Sequence, residues 1–158
     1  MNERVTSTKI TEFLDVQGVP YTLLHHQSPA ISIEDAAQQR GISPHQMVKT
    51  ILLRDMDNNY TLACVPGNMQ ADPKKVRAIL NCRRMTCVEL SDVPSITGYA
   101  PGTVAPLLLP SKMNIFFDSR FRELDSITIS SGSNMAGIAM ETTHLIALCE
   151  PIFADITR

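Results

Sequence analysis

The chain has 158 residues, 44% of them hydrophobic, and its 14 Lys and Arg against 16 Asp and Glu leave a formal charge of −2. That length suits one domain over residues 1–158, burying roughly two thirds of its unfolded surface, and the charge offers nucleic acid no overall attraction, so an RNA partner must be met by a local basic surface. No apolar run approaches the roughly 20 residues that span a bilayer, and the leading MNERVTSTKITEF is polar where a signal peptide carries an apolar core, so the expectation is a cytoplasmic protein without a membrane partner.

Along the chain, Ile10, Phe13 and Leu14 fall at helical spacing behind a Thr/Ser cluster and predict a helix that stops near Gly18, Val19 and Pro20. YTLLHH (21–26) follows as a strand. Ser32 and Asp35 stand three apart as N-cap and N3 acid, and Gly41 is a stop, so 33–40 form a short helix. Ser43-Pro44 starts another helical turn. MVKTILLR (47–54) and YTLACVP (60–66), joined by the polar DMDNN, predict a β-hairpin with both strands well buried. Asp72 and Pro73 open a helix running through Leu80, because proline suits the first helical position and the carboxylate accepts orphan N–H groups. SDVPSITG (91–98) is a further short helix leading straight into GYAPGTVAPLLLP (98–110). Beyond it MNIFFD, SITISSG and GIAMET alternate strand with turn, THLIAL is a short helix and IFADIT closes the chain. Strands and helices mix without strict alternation, which predicts an α+β domain around a mixed, strongly curved sheet.

The four cysteines (Cys64, Cys82, Cys87, Cys149) form no CxxC pair, which argues against a tetrahedral zinc site and a thioredoxin-like motif. They read as reduced core thiols. Basic residues cluster only at Lys74, Lys75 and Arg77 and at Arg83 with Arg84, and a solvated helix face explains the first three almost as well as RNA does.

Lys49 lies in MVKTILL, where every near neighbour except Thr50 is apolar. An unpaired ammonium is costly to bury, so Lys49 either snorkels to water from a strand edge or serves as a cation at the rim of a cleft, ready for a phosphate or a polarised carbonyl. The loop 98–110 poses the same choice. Three prolines and two glycines exclude helix and disfavour strand, leaving either a tight connector or a rigid backbone surface for a ligand. In SSGSNMAG (130–137) the hydroxyls of Ser130, Ser131 and Ser133 can donate to a substrate or merely satisfy a hairpin. No GxSxG, GxxxxGK[ST] or GxGxxG occurs. His25-His26, His45 and His144 lack a partner at ligand spacing and read as structural or surface residues.

Taken together, VKTILL, TGYAPGTVAPLLLP, FFD, ITISSG and THLIALCEPIFADIT resemble the YbaK and prolyl-tRNA synthetase associated domain family, from Tyr21 to Ile156. Their order and spacing carry the resemblance, above all the lysine after a short helix, the GxxxP loop at Gly102 to Pro106 behind Gly98-Tyr99, and the serine-containing turn with glycine. The resemblance implies an α+β fold with a barrel-like mixed sheet flanked by short helices, and an aminoacyl-tRNA deacylase that holds the 3′ CCA end of mischarged tRNA. It implies catalytic roles for Lys49, Gly102, Ser130 and Asp118, and substrate contacts from Tyr21, Tyr99, Thr103, Val104, Pro106, Ser131 and Gly132. No cofactor or metal is implied. An aminoacyl ester is already activated, so orientation, a placed water and oxyanion stabilisation suffice, and a ribose hydroxyl can assist. Family members clear Ala, Cys, Ser or Thr from tRNA, because a synthetase pocket separates near-isosteric amino acids by only about 1–3 kcal/mol. The turn SGSNMAG lacks the arginines of the cysteinyl-specific pattern, which favours a freestanding deacylase for Ala, Ser or Thr over Cys. An aminoacyl-tRNA synthetase is a possible partner. The rival readings are a tRNA- or synthetase-binding module without turnover and a hydrolase of simple esters.

Overall fold

The computed structural model describes residues 7–110 and 112–158; the leading polar residues 1–6 lie outside them. Thr8 caps the first helix, α1 (Lys9–Gln17), through a capping box with Thr11, and Gly18 ends it in the left-handed region. Strand β1 (Thr22–His25) follows, then α2 (Ile33–Arg40), where the Ser32 hydroxyl accepts from the Asp35 N–H as its spacing predicted. After a 3-10 turn at Pro44–Gln46, β2 (Val48–Arg54) and β3 (Tyr60–Pro66) form the expected hairpin. The Asp55 carboxylate organises its turn, accepting from the N–H groups of Asp57 and Asn59 at 2.8 and 2.9 Å. Asp72 caps α3 (Pro73–Leu80). The chain continues through β4 (Thr86–Cys87), α4 (Val93–Thr97), β5 (Asn114–Asp118), β6 (Ser126–Ser130), β7 (Ala136–Glu141), α5 (Thr142–Cys149) and β8 (Ile152–Ala154). None of these helices is long and apolar enough to cross a membrane.

The α+β class is as expected, but the strands form two sheets instead of one barrel-like sheet. One is antiparallel, in the order β1-β7-β6; the other is mixed, in the order β4-β2-β3-β5-β8. Among the described residues a single backbone bridge, Met47 to Thr128, joins them. The reason lies along one edge of β2. Past Met47 that edge meets no other strand among the described residues until the Leu52 carbonyl accepts the Val88 N–H at 2.9 Å and Leu53 and Arg54 pair with β4, and the loop 98–110 enters where a closed ladder would need strand. Thr50 Oγ1 donates to the Val104 carbonyl at 3.3 Å, and Ser130 Oγ donates to the Thr103 carbonyl at 2.6 Å. The loop therefore fastens the two sheets together without completing a barrel.

The main core fills the space between the sheets. Ile127, Ile129 and Ile138 come from the first sheet, and Leu52, Leu62 and Phe117 from the second. Burying such side chains is worth about 1.5–3 kcal/mol each. A second cluster, including Val76, Val65 and Phe116, packs α3 against the outer face of the five-stranded sheet. The hairpin is less uniform than expected: β3 is buried almost throughout, whereas Lys49, Thr50 and Ile51 of β2 are only partly covered. The four cysteines are free, but only Cys64 is a fully buried core thiol, and Cys87 is exposed. Lys75 is engaged with Asp155 at 3.0 Å.

Candidate functional site

A cavity of about 630 Å³ opens on the unpaired edge of β2. Lys49 reaches it from β2, Gly102 and Val104 from the loop, and Ser130 from the end of β6. It sits at the seam between the sheets, and both sheets and the loop contribute to its wall.

Lys49 is half-buried, and its amine makes no hydrogen bond or ion pair with the described residues. Burial pulls its pKa below the ordinary lysine value, while the Glu34 carboxylate in the first turn of α2 pulls weakly the other way. The loop beside it begins with a turn in which the Thr103 N–H donates to the Ala100 carbonyl at 3.0 Å. Pro101 and Gly102 occupy its central positions, with φ +83° at Gly102, the pattern that calls for proline then glycine in a type II turn. Open space surrounds the position a Cβ would take at Gly102, so backbone conformation alone demands the glycine.

The loop's carbonyls are largely spoken for. Thr103 and Val104 bond to Ser130 and Thr50, the Gly98 carbonyl accepts from Lys9 Nζ at 3.3 Å, and the Pro106 carbonyl accepts from Cys149 Sγ at 3.2 Å. The Tyr99 hydroxyl donates to the Leu107 carbonyl. By contrast, the N–H groups of Gly102 and Val104 have no acceptor among the described residues. Carbonyls fixed and amides free is the arrangement that suits an anionic oxygen.

The residues expected from the sequence therefore divide. Lys49, Gly102, Val104 and Ser130 meet at the cavity, whereas Tyr21, Tyr99, Thr103, Pro106, Asp118, Ser131 and Gly132 do not line it. Asp118 is fully buried at the end of β5, where its carboxylate accepts from the N–H groups of Arg120 and Ile156 and pairs with the Arg120 guanidinium at 3.1 Å. Those bonds engage both carboxylate oxygens in holding β5 to the chain end, away from the cavity lining. Tyr21 donates to Asp15 at 2.9 Å on the surface. Tyr99 is buried, with Lys9 Nζ 4.0 Å from its ring centroid and its edge against Gly132. Ser131 closes the β6–β7 turn by donating to the Ala136 carbonyl at 2.7 Å. Thr103 serves through its carbonyl, which anchors Ser130.

Two further residues line the cavity: His26, read from the sequence as structural or surface, and Arg40, which carried no signal there. His26 is buried, its Nδ1 lies 2.8 Å from the Asn134 carbonyl, and its Nε2 receives the Arg40 Nε–H at 3.1 Å. Those two partners fix the neutral ring with the proton on Nδ1, in keeping with a pKa held down by burial. Arg40 also donates to Thr128 Oγ1 at 3.2 Å.

A model described as the aminoacyl-tRNA editing domain matches residues 27–148. Among curated proteins, the chain is 24% identical over 127 residues to a candidate Cys-tRNA(Pro)/Cys-tRNA(Cys) deacylase, EbsC, of Enterococcus faecalis, covering 80% of this chain and 77% of that one. It is 30% identical over 93 residues to the proline–tRNA ligase of Bacillus licheniformis, covering 59% of this chain but 16% of the ligase. Among solved structures, the hypothetical protein APE2540 superposes with a TM-score of 0.87 at 21% identity, over 96% of this chain and 100% of that one. A candidate trans-editing enzyme for prolyl tRNA synthetase superposes at 0.84 with 19% identity, over 94% of each chain. At such identities the superpositions speak for the fold alone.

Proposed function

The chain belongs to the aminoacyl-tRNA editing domain family, and from that premise we propose that it is a deacylase that hydrolyses the ester of mischarged tRNA carrying a small amino acid such as Ala, Ser or Thr. The observation that carries this reading is the meeting, at one cavity, of Lys49, whose ammonium makes no hydrogen bond or ion pair among the described residues, with Gly102 and Val104, whose N–H groups have no acceptor among them.

The chemistry follows from those groups. Water adds to the ester carbonyl, and the oxygen that gains charge is met by the N–H groups of Gly102 and Val104, which are already fixed and need no reorganisation. The carbonyl carbon then releases the ribose oxygen, which takes up a proton. Ser130, held by Thr103, keeps the loop at its distance from β6. Lys49 supplies positive charge to the phosphate or carbonyl of the bound end. Because the ester is already activated, positioning contributes most of the acceleration and no nucleophilic side chain is needed.

The test is a panel of tRNAs charged with Ala, Ser, Thr, Cys or Pro. At least one ester is lost at catalytic protein concentrations, and Lys49→Ala lowers kcat/KM on it by about 10²- to 10³-fold, the scale set by removing one preorganised charge-stabilising group. Rising salt depresses that activity far more than activity on a minimal aminoacyl ester, since contacts to phosphates release counterions. Stoichiometric binding without turnover across the panel overturns the reading in favour of a binding module. Equal activity with and without the tRNA body points to a simple esterase.

A further inference from the structure

Arg40 is the last residue of α2, where a cation ordinarily does no more than face the helix C-terminus. Here the side chain turns inward. It is largely buried, it lines the same cavity as Lys49, and no carboxylate stands within ion-pairing distance of it among the described residues. Burial alone lowers its pKa, to about 10, the mark of a cation desolvated with no acid to offset the cost.

The guanidinium has a built seat. His26 Nε2 and Thr128 Oγ1 each accept one N–H, and the group lies so close to β7 that a Cβ on Gly137 would collide with it. Two neutral acceptors take two of the five N–H donors a guanidinium carries, leaving three without an acceptor among the described residues. His26 accepts only while neutral, so the network presents the positive charge without cancelling it. A cation seated purely for structure is ordinarily paired with an acid, because leaving it unpaired costs several kcal/mol.

The charges of the proposed substrate select the ligand. In an aminoacyl-tRNA the amino acid's carboxylate is tied up in the ester and its amine is cationic, so a guanidinium repels the aminoacyl end. The anions left on such a molecule are phosphodiesters, which suit the planar fork of arginine better than the point charge of lysine. We propose that Arg40, seated on His26, Thr128 and the bare backbone of Gly137, forms a second anion subsite in the cavity that receives a phosphodiester of the RNA end, apart from the group met by Lys49. This rests on the deacylase reading for the identity of the RNA, but not on turnover.

The experiment therefore uses uncharged ligands: the tetranucleotide ACCA, which carries phosphodiesters, and adenosine, which carries none, titrated into the full chain and into Arg40→Gln and Arg40→Lys. Arg40→Gln is expected to weaken ACCA about tenfold, to reduce the slope of log affinity against log salt by about 0.7, the contribution of one single-strand phosphate contact, and to leave adenosine unchanged. Arg40→Lys recovers part of the affinity and most of the slope. Equal weakening of ACCA and adenosine, or an unchanged salt slope with a lowered Tm, overturns the proposal and makes Arg40 a wall residue. If Arg40→Gln does not fold, Gly137→Ala, which drives the guanidinium off its seat while keeping its charge, gives the same comparison. A chain that deacylates no charged tRNA yet shows this Arg40 dependence keeps the subsite and loses the enzyme. A chain that deacylates without the dependence does the reverse.

Discussion

Lys49 stands in a run of apolar neighbours, and the composition of that run makes it conspicuous in the sequence itself. Its environment sets a pH dependence whose sign can be worked out. Burial lowers its pKa from the ordinary lysine value, with Glu34 opposing, so the ammonium is lost on the alkaline side earlier than it would be from an exposed lysine. After subtraction of spontaneous ester hydrolysis, kcat/KM on charged tRNA falls as pH rises through that lowered pKa. Lys49→Arg, which stays charged to far higher pH, removes this limb while retaining part of the activity; an identical alkaline limb in the arginine variant would assign it to another group. Stability moves oppositely. In the window between the folded and unfolded pKa values the unfolded chain holds the proton and the folded chain does not, so stability rises with pH there. Arg40 offered no comparable signal. In sequence it is a last-turn helix cation, and its surroundings come from His26 and Thr128, 14 and 88 residues away.

Local elements were legible where a side chain completes its own hydrogen bonding nearby. The Ser32 and Asp72 caps close within three residues, so spacing alone marked them, whereas the Thr8 cap and the Asp55 turn sat inside polar stretches read only as a cluster and a connector. Strand β4 was not legible because two exposed residues carry no periodicity. Asp118 shows the converse hazard: the family resemblance made it a candidate, yet it starts the 3-10 turn at Ser119–Glu123 and ties down Ile156 and Arg120. Asp118→Asn, which keeps the size but loses the charge, is expected to cost about 1–3 kcal/mol, the range for a buried polar group left without a proper partner. At this chain length that lowers Tm by about 2–12 °C. Deacylation measured well below Tm should stay within about twofold of the parent. A tenfold loss of activity at unchanged Tm would return the carboxylate to the chemistry.

The separation into two sheets could not be read from strand patterns, because period-two alternation records which face is buried and not where a ladder stops. The division matters for function, since the cavity lies on the seam and takes Lys49 from one sheet and Ser130 from the other. Among the described residues one backbone bridge and two side-chain bonds to the loop span that seam, too few to hold the geometry by themselves. The shared core supplies the rest. Phe117 of the five-stranded sheet is fully buried, meets Phe121 and Phe153 edge-on with centroids 5.6 and 6.0 Å apart, and lies in one cluster with Ile127, Ile129 and Ile138 of the other sheet. A core common to both sheets makes them one cooperative unit, in which neither opens without exposing apolar surface of the other. Amides of β3 and β5 and amides of β6 and β7 should then exchange with the same limiting free energy. Phe117→Ala should lower both sets together by about 3–5 kcal/mol, the cost of emptying an aromatic site in a packed core. If only the five-stranded sheet responded, the sheets would be separate folding units and the fastening of the cavity would rest on the loop alone.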